Sequence, residues 1–348
     1  MNTLHLYCVV SDGKAPDPHL LGFDGGRVAT IRHGAMAALV SRAPVRAYRS
    51  MRREEVFRYL AAHQAVVEKV MEDHTVVPVK FGTTARDEAE VRRILERGYS
   101  QLKATLEAIE GEIELDLVAQ WKDLNSMFRQ IGEEAEIQRQ KAAIAVRPVQ
   151  ETTEERIRIG RMVKARLDQM RGERAAEIVE ALNPLVRDIC PHALLDDRMI
   201  LNTAFLVDRA KEKEFSETLE RLNGPYTDSV DFRCVGPLPP YSFATVEIKT
   251  FKFETIDRAR CLLGLQEDAG LAEIRDAYRR LVQQCHPDHV SRQAGKAVGD
   301  AAGPFEAVTE AYRLLGEYRR VGSSFRARDV REAVAVRLLQ RSPEPSGA

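Results

Sequence analysis

The chain has little that would staple it, anchor it or pull it to a charged partner. Its five cysteines, at positions 8, 190, 234, 261 and 285, form no CxxC pair and no even framework. A disulfide scaffold is excluded, and buried thiols in a reducing cytoplasm are expected. No apolar run approaches the roughly 20 residues that cross a bilayer, and Met1 to Val10 lacks the basic start and cleavage pattern of a signal peptide. Charge of one sign is also missing. Lys and Arg number 52 against 53 Asp and Glu, a net charge of -1, which gives no bulk attraction to nucleic acid or anionic lipid, so neither is an expected partner. There is no Gly-rich phosphate loop, no Gly-x-Ser-x-Gly and no triad spacing, so no catalytic residue, cofactor or enzyme activity is expected. No repeat at a solenoid period occurs.

What is present is enough for several packed cores. Hydrophobic residues make up 44% of 348, more than one typical domain needs, so two or three units are expected. Leu4, Leu6, Cys8 and Val10 alternate with other residues at the period of a strand. Asp24-Gly25-Gly26 suits a hairpin turn before Val28 to Val40. Val56, Tyr59, Leu60, His63, Val66, Val67 and Val70 then mark a helix, Val76 to Phe81 a short strand, Val91 to Leu106 another helix, and Glu112 to Ala119 a strand.

Ser126 to Ile189 reads as helix, with Thr152 and Glu155 spaced as a capping box and an apolar stripe of Ile159, Val163, Leu167 and Met170 facing its own domain. Strand patterns return at Met199 to Val207, Val230 to Val235 and Phe243 to Ile248, with a helix at Lys211 to Leu222. The expected fold class is α+β: a ferredoxin-like domain at 1–122, a helical middle with a second α+β part at 123–249, an all-α helical hairpin at 256–322, and a C-terminal helix with a disordered tail at 323–348.

Two segments carry the functional signal. In Leu271 to Gln284, Ile274, Ala277, Leu281 and Cys285 fall on one helical face, while Arg275 and Arg279 run down another toward His286, Pro287 and Asp288. Proline disfavours the α region for the residue before it, so the helix should end there and present the tripeptide on a loop. A second helical pattern carries Phe305, Val308, Tyr312 and Leu315. This constellation, with Leu262-Leu263-Gly264-Leu265 as the short first helix, resembles the J domain of DnaJ-type co-chaperones over about residues 257–320. The resemblance implies that Arg275, Tyr278, Arg279, Arg280 and His286-Pro287-Asp288 dock on a DnaK-type ATPase and trigger hydrolysis. His289 and Val290 depart from the Lys or Arg and Asn usual after the tripeptide. Cys285, His286, Asp288 and His289 are all ligand types, but a proline among four residues this close opposes convergence on one ion, so no metal site is expected.

The second segment, Gly236-Pro237-Leu238-Pro239-Pro240-Tyr241-Ser242-Phe243, should be a stiff extended connection. It resembles the signature of the GvpL/GvpF gas vesicle proteins, with Leu238 where that family usually has Trp. His5 to Val10, Val77-Pro78-Val79-Lys80-Phe81-Gly82-Thr83, Gly111 to Leu115 and Asn202 to Val207 agree with it in order, so the resemblance spans about residues 1–248. It implies the two α+β domains and a role in building gas vesicles, with shell and accessory proteins as partners. Two readings stay open: an assembly accessory that recruits a DnaK-type chaperone, or a minor component of the vesicle wall with a vestigial J domain.

Overall fold

The computed structural model describes residues 2–11, 19–44, 50–226, 228–285 and 302–339. They sort into two compact units, one joining Met1–Glu107 to Val246–Leu338 and the other built on Ala108–Thr245.

The first unit begins with β1 (Asn2–Ser11), β2 (Val28–His33) and β3 (Met36–Pro44), followed by α1 (Arg53–Met71), β4 (Val76–Pro78) and β5 (Thr84–Ala85), then α2 (Glu88–Arg97) and α3 (Tyr99–Ala108). The sheet order is β2-β3-β1-β4, antiparallel throughout, with β5 continuing beside β1. Numbered from the chain start this is the 4-1-3-2 order of a ferredoxin-like sheet. The hairpin turn falls at Gly34, which has φ +58, and not at Asp24-Gly25-Gly26. Asp24 and Gly25 do take positive φ, but in a 3₁₀ turn ahead of β2. The helix expected over Val91 to Leu106 breaks at Gly98 into α2 and α3.

The second unit runs β6 (Glu112–Trp121), α4 (Leu124–Gly132), α5 (Ala135–Ile144), α6 (Thr153–Leu182), β7 (Val186–Pro191), β8 (Met199–Asp208), α7 (Glu212–Tyr226), β9 (Val230–Leu238) and α8 (Tyr241–Ala244). Its sheet order, β7-β8-β6-β9, repeats the pattern of the first with both crossover helices in place. Sequence order had set β6 at the end of the first domain. Its hydrogen bonds go instead to β8 and β9, because its Ile113, Leu115, Leu117, Ala119 and Trp121 face a core completed by Ile200, Phe205, Phe215 and the stripe of α6. The helical reading to Ile189 also stops early, at Asn183-Pro184, and the half-exposed β7 follows. The capping box does not form: the Thr152 hydroxyl donates to the Pro148 and Val149 carbonyls, and Glu155 pairs with Arg147 at 3.0 Å.

The remaining elements return to the first unit. They are β10 (Thr245–Thr250), α9 (Phe253–Leu262), α10 (Leu271–Cys285), α11 (Ala302–Tyr318), α12 (Ala327–Glu332) and β11 (Val334–Leu339). Leu262 to Leu265 is the end of α9 rather than a helix of its own, since Gly264 at φ +65 terminates it. Where 323–348 was expected to be a helix and disordered tail, α12 is followed by a strand that pairs with β10; residues 340–348 lie outside the described residues.

Candidate functional site

On α10, Ile274 and Ala277 are buried in one core with Ala311, Leu315 and Tyr318 of α11. Helical geometry then turns Arg275 and Arg279 away, because positions one, two and five residues from Ile274 and Ala277 cannot share that face. Arg275, Arg279 and Arg280 are all exposed. Arg279 has Asp276 at 3.9 Å with both side chains largely in water, so its charge stays available to a partner. Tyr278 is placed differently. Its ring stacks on Tyr312 with centroids 4.2 Å apart, its hydroxyl lies 3.5 Å from that of Thr309, and it is only half-exposed. Of the four docking residues expected on α10, three form an open basic row and one holds α10 to α11. His286, Pro287 and Asp288, with His289 and the Cys285 side chain, lie outside the described residues.

The Gly236–Phe243 segment is built around a carboxyl group. Glu114 on β6 is 2% exposed. The Ser242 amide donates to its Oε2 at 2.7 Å and the Ser242 hydroxyl to its Oε1 at 2.9 Å. Burial pushes the Glu114 carboxyl up to about 8; the Ser242 amide opposes the shift and the charge of Asp116 adds to it. The acid is therefore mostly protonated near neutrality. His192 Nε2 lies 3.4 Å from the Ser242 hydroxyl, but that hydroxyl gives its proton to the carboxyl group, the reverse of what a nucleophilic serine needs.

The signature residues hold this arrangement. The segment is not extended throughout: β9 runs through Gly236 and Pro237 to Leu238, and Tyr241 to Ala244 form a helical turn closed by the Pro240 carbonyl. Pro239 and Pro240 are buried, while Tyr241 and Phe243 are half-buried. Gly236 passes so close to β6 that a Cβ there would sit 2.5 Å from Leu115 Cδ2 and 2.9 Å from the Glu114 carbonyl. Gly236→Ala is expected to cost the second unit about 1–3 kcal/mol through this overlap, read from urea unfolding of the fluorescence of Trp121. An unchanged midpoint would refute the close approach. The sequence reading placed Glu114 and Ser242 within two family segments but did not pair them; Glu114 and Asp116 alternate with Ile113, Leu115 and Leu117, and nothing in that pattern marks which acid is buried.

Pro78, Phe81 and Gly82 sit at the end of β4. Pro78 is buried opposite Cys8, and Gly82 at φ +87 turns the chain toward β5. The Phe81 ring lies 5.7 Å from His63 and 6.1 Å from His5. These two histidines share a buried hydrogen bond, Nε2 of His5 to Nδ1 of His63, at 2.9 Å. Desolvation is the main cause that lowers their pKa values, to about 3 for His5 and about 4 for His63.

The family model for gas vesicle synthesis protein GvpL/GvpF matches residues 3–245. The chain belongs to the GvpL/GvpF family. A DnaJ domain model matches residues 261–320. Gas vesicle protein F of Microcystis aeruginosa is 25% identical over 244 residues, covering 69% of this chain and 97% of that protein. Gas vesicle protein F of a Streptomyces species is 27% identical over 242 residues, covering 69% and 98%. The Mesomycoplasma hyopneumoniae chaperone protein DnaJ is 36% identical over 56 residues, which is 16% of this chain and 15% of that one. The crystal structure of the gas vesicle protein GvpF from an Anabaena species superposes with a TM-score of 0.62 at 23% identity, covering 70% of this chain and 98% of the other. That likeness shows the fold. Both resemblances drawn from the residues hold, the first to a gas vesicle family and the second to the DnaJ domain.

Proposed function

We propose that this GvpL/GvpF protein is a cytoplasmic accessory in gas vesicle assembly that binds shell or other vesicle proteins and recruits and stimulates a DnaK-type chaperone through its J domain. The observation that carries the reading is the open row of Arg275, Arg279 and Arg280 on α10, in a chain whose residues 3–245 match the GvpL/GvpF model. A row of solvent-exposed guanidinium groups suits an acidic partner surface. The physical need is general. A gas-holding wall requires an apolar inner surface, so its subunits expose aggregation-prone surface until they are assembled, and a chaperone cycle limits that loss.

Affinity capture from cells making gas vesicles is expected to recover small vesicle proteins together with a DnaK-type chaperone. Arg275→Glu with Arg279→Glu should remove the chaperone alone, at least about tenfold in recovery, because both positions are exposed and outside the cores. Equal recovery of the chaperone by that variant would sink the docking role. The wall-component reading is favoured by His289 and Val290 after the tripeptide. It predicts instead that the protein stays on purified vesicles through salt and urea washes.

A further inference from the structure

The two family matches end at residues 245 and 320, and neither accounts for residues 321–339. Those residues are as well packed as the helices they follow. Phe325 is fully buried, with its ring 5.4 Å from that of Tyr318, which in turn meets Phe251 at 5.3 Å. Val330, Ala333 and Ala335 belong to the same core as Ile274 and Leu315. The Phe325 amide donates to the Glu267 carbonyl at 2.7 Å. Glu317 of α11 pairs with Lys249 of β10 and, at 3.1 Å, with Arg337 of β11. The J helices are thus an insertion between two paired strands, closed at the base by an aromatic trio and a shared carboxylate.

This closed base is joined to the amino-terminal sheet of the same unit. Val79 and Val246 form a parallel bridge, with the Lys80 amide donating to the Val246 carbonyl at 2.8 Å and Lys80 Nζ 2.6 Å from Glu247. Arg86, which also holds the buried Glu90, donates to the Arg331 carbonyl at 3.0 Å. The break between α2 and α3 falls where β11 needs it. A Cβ on Gly98 would lie 2.9 Å from Val336 Cγ1, so the bare glycine is what lets β11 seat against that helix pair.

We infer that residues 321–339 and β10 are a clasp that makes the J surface a fixed part of the amino-terminal domain, so that Arg275, Arg279 and Arg280 are held at a set position relative to β1, β3 and α1. Lys80, Gly98 and Val336 are positioning residues. A J domain on a slack tether raises the local concentration of its partner over a broad volume, whereas a clasped one delivers it to one place. The consequence for chaperone delivery rests on the proposed recruitment; the clasp itself does not.

Residual dipolar couplings on the full-length chain separate the two. Amides of β1, β3 and α1 and amides of α9, α10 and α11 are expected to fit one alignment tensor, and two distinct tensors in the wild-type protein would overturn the inference. Val336→Asp, which sets a carboxylate against Gly98, should split the tensors and speed exchange of the Lys80 amide about 100-fold. A folded variant that keeps a single tensor and a slow amide would also overturn it. If that variant loses protection throughout β1, the exposed reversal Lys80→Glu takes its place. It should speed the same amide about threefold, with recovery on adding Glu247→Lys, and no change would count against the clasp. A single tensor without ATPase stimulation would leave the clasp standing and remove the recruitment; two tensors with stimulation would do the opposite.

Discussion

His286→Gln is expected to reduce stimulation of a DnaK-type ATPase to the basal rate, a loss of at least about tenfold, equivalent to ~1.4 kcal/mol in the barrier. The unfolding transition and the capture of vesicle proteins are expected to be unchanged, because one polar side chain replaces another. The expectation follows from position: α10 ends at Cys285 with its arginines in solvent, and His286-Pro287-Asp288 comes next in the chain. Single-turnover hydrolysis with the chaperone and full-length protein measures it. Stimulation equal to wild type would remove the tripeptide from the trigger and favour the wall-component reading.

The second large effect is a pH response of opposite sign in the two units. In the first, His5 and His63 remain neutral when folded, with pKa values lowered from 6.5 to about 3 and about 4 by burial; the mutual repulsion of the pair adds for His5, and a backbone hydrogen bond at Val79 partly offsets the shift for His63. Unfolded, both take up protons below about 6.5. The stability they support is therefore full above that value and is lost as pH falls toward 4, about 4 kcal/mol by pH 5. Against a typical total of about 5–15 kcal/mol this is enough to open a domain.

In the second unit the sign reverses. Glu114 is raised from 4.5 to about 8 by burial, the Ser242 hydrogen bonds opposing and Asp116 assisting, so its unfolded form releases a proton that the folded form keeps. Stability there is full below about 4.5 and falls as pH rises toward 8, about 3 kcal/mol being lost by pH 7. The one tryptophan of the chain, Trp121, is buried in the second unit and reports that unit, while exchange of the β1 amides reports the first. Glu114→Gln keeps an acceptor for Ser242 and should raise the second unit's stability near neutrality by about 1–3 kcal/mol and flatten its slope. A slope unaltered by that substitution would show the carboxyl group to be ionised in the fold.

Much of this was legible because it was periodic. The strand pattern at Leu4 to Val10, the helix at Val56 to Val70 and the helical stripes of α10 and α11 were read at their observed places, since burial on one face leaves a period of two or 3.6 in the residues. What escaped was short or exposed. β7 follows a helix directly and is an edge strand with Arg187 and Asp188 on it, so it has no apolar alternation to detect. β11 lies beyond the J pattern and owes its state to its pairing with β10. Tyr278 was grouped with the arginines by the resemblance to the J domain, and only the stack on Tyr312 shows its packing role.

By itself the sequence determined the family, the two kinds of sheet and helix layer, the absence of bulk charge, and the cationic row leading to His286, because these depend on residue type and on spacing along one element. The tertiary structure alone decided that β6 belongs to the second sheet, that Glu114 lies under Ser242, and that the J helices are closed into the amino-terminal unit by β10 and β11. Each of these joins residues distant in the chain, and such pairings are fixed by complementary buried faces and backbone hydrogen bonds that leave no period in it.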